Sequence, residues 1–162
     1  MRDYQRYAII VAIFATMLYV AVVVAAFGMI SLFTNTDVIT EADAGPLVGP
    51  FMVGAATVVV LLFMVVIGIR TSPERQRVAV VAALIAGVVA FVAFVATGGI
   101  VYGVGLGEAV DIVLFAGARL GSPFTWAVGI LAFVVTLLYS IVLASRVGEN
   151  GRPLWPWERR GE

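Results

Sequence analysis

The sequence contains no cysteine, no histidine and no lysine. Without thiolates or imidazoles it lacks the usual protein ligands of zinc, haem and iron–sulfur clusters, and it cannot assemble a nucleophilic triad that depends on Cys or His. No cofactor is expected. Charge is also scarce: 12% of the residues are charged, ten acids against ten bases, for a formal net charge of zero. A neutral chain offers no bulk positive field to polyanions, so nucleic acid is set aside as a partner. What fills the chain instead is apolar. Hydrophobic residues make up 62% of it, against roughly 45–50% in soluble globular domains, and the mean hydropathy is +1.10. Water is not its main solvent, and the lipid bilayer is its first expected partner.

Residues 7–33, YAIIVAIFATMLYVAVVVAAFGMISLF, carry no charge and exceed the roughly 20 residues that a helix needs to cross a bilayer. A secretory signal peptide is the rival reading, because Arg2 and Arg6 precede the run. Its apolar core would be only about 7–15 residues long, so an uncleaved anchor is expected. A second span is expected over 50–69, where Pro50 sits in the first turn and its missing N–H costs nothing. The third begins at TSPERQR, with Ser72 as cap and Pro73 as first helical residue, and crosses over 78–97 before Gly98-Gly99 ends it. The fourth repeats the signal with Ser122-Pro123 and runs over 124–145. A cytoplasmic tail follows over 146–162.

The arginines set a topology. Arg2 and Arg6 precede the first span, Arg70, Arg75 and Arg77 lie between the second and third, and Arg146, Arg152, Arg159 and Arg160 follow the fourth. Four crossings put all nine on one side and leave only Arg119 on the other. Excess arginine marks the cytoplasmic side, so both termini are expected inside the cell.

The stretch GEAVDIVLFAGARLGSPF, residues 107–124, holds Glu108, Asp111 and Arg119 within apolar surroundings. It is too short between charges to span hydrocarbon. It reads as an amphipathic interfacial helix over 108–120, with acids in its first turn and a base in its last, both favourable to the helix dipole. Glu108, Asp111, Arg119 and Ser122 share a narrow polar stripe. Val110, Val113, Leu114, Ala116, Gly117 and Leu120 cover the rest, facing lipid or the ends of the spans. The same Glu108 and Asp111 could form an outer-face acid pair that binds a cation or works as acid and base. Two carboxylates one turn apart are common on solvated helices, and metal sites need more oxygen ligands, so the structural reading is favoured and no metal site is assigned.

The glycines of GGIVYGVGLG, residues 98–107, do not make a nucleotide loop, since neither GxGxxG nor GK[ST] is present and no strand precedes them. They read as a helix end and a sharp return of the chain. Ala82, Ala86 and Ala90 in span three, and Ala132, Thr136, Ser140 and Ala144 in span four, recur at four-residue spacing and are the expected helix-packing seams. No ionisable side chain falls within a span, which weighs against proton-coupled transporters, voltage sensors and intramembrane proteases. The tail GRPLWPWERRGE alternates Trp155 and Trp157 with prolines beside Arg159 and Arg160. It is expected to be extended and to anchor at an anionic leaflet, or to be gripped by a cytoplasmic partner.

The alanine- and valine-rich spans, arginine in place of every lysine, and the RPLWPWERR tail resemble small uncharacterised four-span integral membrane proteins of actinobacteria. The resemblance implies a bacterial inner membrane and no particular activity. The expected fold class is an all-α membrane protein with four transmembrane helices and a short amphipathic interfacial helix between spans three and four. The expected function is a non-enzymatic accessory, assembly or structural partner in the cell envelope, as a homo-oligomer or within a larger membrane complex. A small oligomeric channel or transporter, and an outer-face lipid-acting enzyme, are the alternatives.

Overall fold

The computed structural model describes residues 2–39, 44–70, 78–106 and 109–147. Five helices follow one another: α1 (Arg2–Thr34), α2 (Val48–Arg70), α3 (Val80–Leu106), α4 (Ala109–Leu120) and α5 (Pro123–Val147), with no strand among the described residues. Four of them, α1, α2, α3 and α5, are long and apolar enough to cross a membrane. This is the make-up of a multi-pass membrane protein.

Apolar runs of this length become helices because a helix satisfies every backbone N–H and C=O within itself, and hydrocarbon supplies no other partner. The ends follow local chemistry. α1 stops at Thr34, and Asn35 beyond it takes a left-handed conformation (φ 51°), which asparagine tolerates better than most residues. α2 begins at Val48, so Pro50 lies in its first turn as expected. α5 begins at Pro123, and the Ser122 carbonyl accepts the N–H groups of Thr125 and Trp126 at 3.1 and 3.3 Å.

One expected boundary of the third span is corrected. α3 starts at Val80, two residues from the expected entry at 78, while the Ser72-Pro73 signal lies outside the described residues. Its start is met from another helix: the Ala79 N–H donates to Ser140 Oγ at 3.2 Å, while that hydroxyl donates to the Leu137 carbonyl at 2.8 Å. At its other end α3 does not stop at Gly98-Gly99 but continues to Leu106. The reason is tertiary: α4 lies against these glycines, as described below, so the missing side chains serve close approach rather than termination.

Neighbouring contacts run α1 to α2, α2 to α3, α3 to α5 and α5 back to α1, with α2 and α5 also touching across the middle. Consecutive spans are therefore adjacent, an up-and-down four-helix bundle, with α5 the most buried span. The interior is built from small and flexible side chains, among them Ala12, Ala56, Val60, Met64, Ala90 and Ala132. Two layers mark its ends. Near the termini, the Tyr139 hydroxyl donates to the Ala8 carbonyl at 3.1 Å beside Gly68. At the far end, Phe27 meets Phe94 and Phe124 edge-on at centroid distances of 6.0 and 5.4 Å. Between these layers the rise is about 28 Å along α1, from residue 8 to residue 27, and about 22 Å along α5, from residue 124 to residue 139, at 1.5 Å per residue. α1 and α3 continue beyond the Phe27 layer, toward the roughly 30 Å of bilayer hydrocarbon.

Candidate functional site

Of the chemistry-bearing residues that the sequence singles out, Asp111 and Arg119 lie on α4, which packs back along α3 at the end of the bundle remote from Arg2. Ile112 lies over both Gly99 and Gly103, Ala116 over Gly99, and Phe115 over Gly98. Positions rise along α4 as they fall along α3, so the two helices form an antiparallel hairpin. A side chain at Gly99 would meet the Ile112 carbonyl oxygen at 2.8 Å, and one at Gly98 would meet Met52 and Phe115 at 2.7 and 2.9 Å. Only glycine permits this approach without displacement.

Within the polar stripe of α4, Arg119 turns into the fold. Arg119 is only 5% exposed, and its Nη1 donates to the Val38 carbonyl, in the connection after α1, at 2.7 Å. Its guanidinium carbon lies 4.9 Å from the centroid of Phe115, whose ring stacks on Tyr102 at 4.7 Å. A guanidinium is always charged and must be hydrogen-bonded where water is excluded. Turning inward lets it clamp α4 to the α1–α2 connection. Val110, Val113, Leu114 and Leu120 are correspondingly exposed. The amphipathic helix is thus present with its apolar side outward and its arginine inward.

Asp111 remains in the first turn of α4 and is partly buried, while Glu108 lies outside the described residues, so the acid pair is not brought together by any described contact. Among the described residues no group of three or more His, Cys, Asp or Glu side chains could hold a metal ion. A cavity of about 280 Å³ opens beside this end, between Pro46, Leu47, Val101 and Tyr102. Among the described residues its lining has the Tyr102 phenol but no carboxylate or guanidinium.

The small residues picked out by spacing lie on the inner faces. Ala86, Ala90, Ala132, Thr136, Ser140 and Ala144 are buried, and Ala82 is partly buried against the core. Trp155, Trp157, Arg159 and Arg160 lie outside the described residues. Several structural residues carried no sequence signal that spacing alone could read. Tyr19 and Tyr139 are fully buried and donate to the backbone of neighbouring helices, Tyr19 to Val128 at 3.3 Å and Tyr139 to Ala8. Gly87 and Gly129 face each other between α3 and α5. A lone glycine in a long alanine- and valine-rich span is the signal that could have located this second pair.

No curated protein and no solved structure matches the chain. The sequence matches a family of unknown function along residues 1–162, and the chain belongs to that family, DUF6121.

Proposed function

We propose that the protein is a non-enzymatic accessory or assembly partner in the bacterial inner membrane, with both termini in the cytoplasm. The observation that carries this reading is how the bundle uses its interior polar groups. Thr16 and Thr57 bond back to the Ala12 and Val53 carbonyls at 2.8 and 2.7 Å, and Tyr19, Tyr139 and Ser140 bond to neighbouring backbone. Of these hydroxyls, the threonine and serine ones are satisfied within their own helices, and the two tyrosines tie α1 to α5. They do not converge on a polar cavity of the kind that a permeating solute or a reacting group requires.

Arg119 supports the sidedness. It is the one arginine that opposes the positive-inside pattern, and it is sequestered against Val38 and Phe115 rather than presented to the aqueous phase. Two measurements test the reading. Single cysteines at positions 37 and 75 of this cysteine-free chain are expected to label with an impermeant thiol reagent in intact cells only at 37, and the reverse pattern would invert the topology. In lipid nanodiscs the chain is expected to carry stoichiometric protein partners and to leave liposomes impermeable to ions and small solutes. Saturable solute flux through the purified chain would replace the accessory role with a channel or transporter.

A further inference from the structure

The furrow between α3 and α5 opens on the outer wall of the bundle and encloses about 430 Å³. Its floor is made by two glycines that meet backbone to backbone. A side chain at Gly87 would lie 2.8 Å from the Gly129 carbonyl oxygen, and one at Gly129 would lie 3.3 Å from that of Gly87. Aromatic rings form the walls: Phe91 and Trp126 pack edge to face at 5.2 Å, and Phe133 closes the deeper end. We propose that this furrow holds a single acyl chain of a membrane phospholipid, drawn from the leaflet remote from the chain termini.

Depth assigns the leaflet. Trp126 and Phe91 lie within one helical turn of the Phe27–Phe94–Phe124 layer, which lies toward the far end of the bundle. From residue 126 to residue 133, α5 descends about 10 Å, and from 84 to 92 α3 covers about 12 Å, at 1.5 Å per residue. The furrow therefore starts just inside that layer and reaches no more than about 15 Å inward of it, the depth that one leaflet of a roughly 30 Å hydrocarbon core supplies. Its length and depth are those of one leaflet's tail.

Shape and chemistry select the occupant. A helix is about 10–12 Å across with its side chains, too wide for a slot formed by removing two side chains. The glycine pair that would let a second helix come close already faces its intrachain partner. The lining is hydrocarbon, so it offers no hydrogen bond to a polar ligand, whereas an extended tail is an apolar rod that fills a narrow slot along its length. The inference requires only that the bundle crosses the bilayer, and is independent of which side is cytoplasmic and of any protein partner.

The chain has three tryptophans, so Trp155→Phe with Trp157→Phe leaves Trp126 as the only indole. A phospholipid brominated along its acyl chain, titrated into micelles of this variant, is expected to quench Trp126 saturably, at one lipid per chain. Adding Val88→Phe and Ile130→Phe, both at exposed rim positions, fills the furrow and is expected to weaken binding by roughly tenfold or more, through loss of buried methylenes. Val24→Phe, on the exposed face of α1, is expected to leave it unchanged. On the unaltered chain, native mass spectrometry after delipidation is expected to show one retained phospholipid that Val88→Phe/Ile130→Phe loses. Quenching that rises in proportion to lipid content without saturating, or that is the same in the filled variant, overturns the proposal. So does a crosslinked second copy that displaces the lipid from Trp126.

Discussion

α3 uses glycine twice, and the two uses differ in what lies opposite. Against α5, Gly87 faces another glycine, and the atom nearest a hypothetical side chain is a backbone carbonyl oxygen. Against Met52 and α4, Gly98 faces the thioether end of Met52 and the ring of Phe115. Backbone cannot move without shifting a whole helix, whereas the end of a methionine can swing into another rotamer. The same residue type therefore marks a rigid contact at Gly87 and an adaptable one at Gly98, although the next glycine, Gly99, again meets backbone at the Ile112 carbonyl. Where large side chains fill the space opened by glycine the helix pair is sealed, and where glycine meets glycine a furrow is left on the outside.

The largest expected effect tests the rigid seam. Gly87→Val places methyl groups against the Gly129 carbonyl and the Phe133 side chain, and is expected to cost about 3 kcal/mol or more through overpacking that the bundle cannot relax. An unchanged midpoint of unfolding in detergent and SDS would show that α3 and α5 are not in contact there.

Removing the clamp at the other pair comes next. Arg119→Met keeps much of the aliphatic stem but loses a charge-assisted bond to the Val38 carbonyl, for about 1.5–3 kcal/mol. Proteolysis of the α1–α2 connection should accelerate in the same variant. If stability and cleavage rate both stay at the parent values, the arginine is not what holds α4 to that connection.

A smaller change addresses the end of α3 near the termini. Ser140→Ala leaves the Ala79 N–H without its hydroxyl acceptor and is expected to cost about 1 kcal/mol, the usual loss on removing a helix cap. Faster amide exchange at residues 79–81, with α5 unaffected, would locate the loss. Exchange that is equally fast in both proteins would deny Ser140 the capping role.

The smallest effect sharpens the comparison. Gly98→Ala meets a flexible methionine end, and the substitution also removes the entropic penalty of a helical glycine, roughly 0.5–1 kcal/mol. The two contributions oppose each other, so the net change is expected to stay within about 1 kcal/mol of zero. A loss as large as that of Gly87→Val would mean that the two glycine positions are equally rigid.

Much of the architecture was legible before any coordinates. Each of the four spans is encoded by an apolar run whose length can be compared with a bilayer, and Ser122-Pro123 marks the start of α5 to the residue. Local signals misled at Gly98-Gly99, where α3 continues to Leu106. Local grammar states where a helix can begin or end, but Val80 starts α3 under a hydroxyl supplied by Ser140, 60 positions away. Glycine at 98 and 99 is compatible with a helix end in isolation, and equally compatible with a helix that another helix must touch.

The orientation of α4 shows the limit most plainly. Its dipole-compatible charges, Asp111 early and Arg119 late, are properties of the sequence and hold in the structure. The sequence turns Val110, Val113 and Leu114 toward lipid or the span ends, and they are exposed. It does not supply the partner of the arginine, which finds a carbonyl and an aromatic ring within the fold. Apolar run length, the charge-free spans and the placement of nine arginines were determined by sequence alone, because each depends on a segment's own transfer between water and lipid. The spacing of small residues marks the inner faces of α3 and α5, but which groups meet across the helices was decided by tertiary structure. In a bilayer the solvent is as apolar as the core, so hydrophobicity does not distinguish the two, and the choice falls to shape and hydrogen bonding between helices: Gly87 against Gly129, Tyr139 to Ala8, Arg119 to Val38.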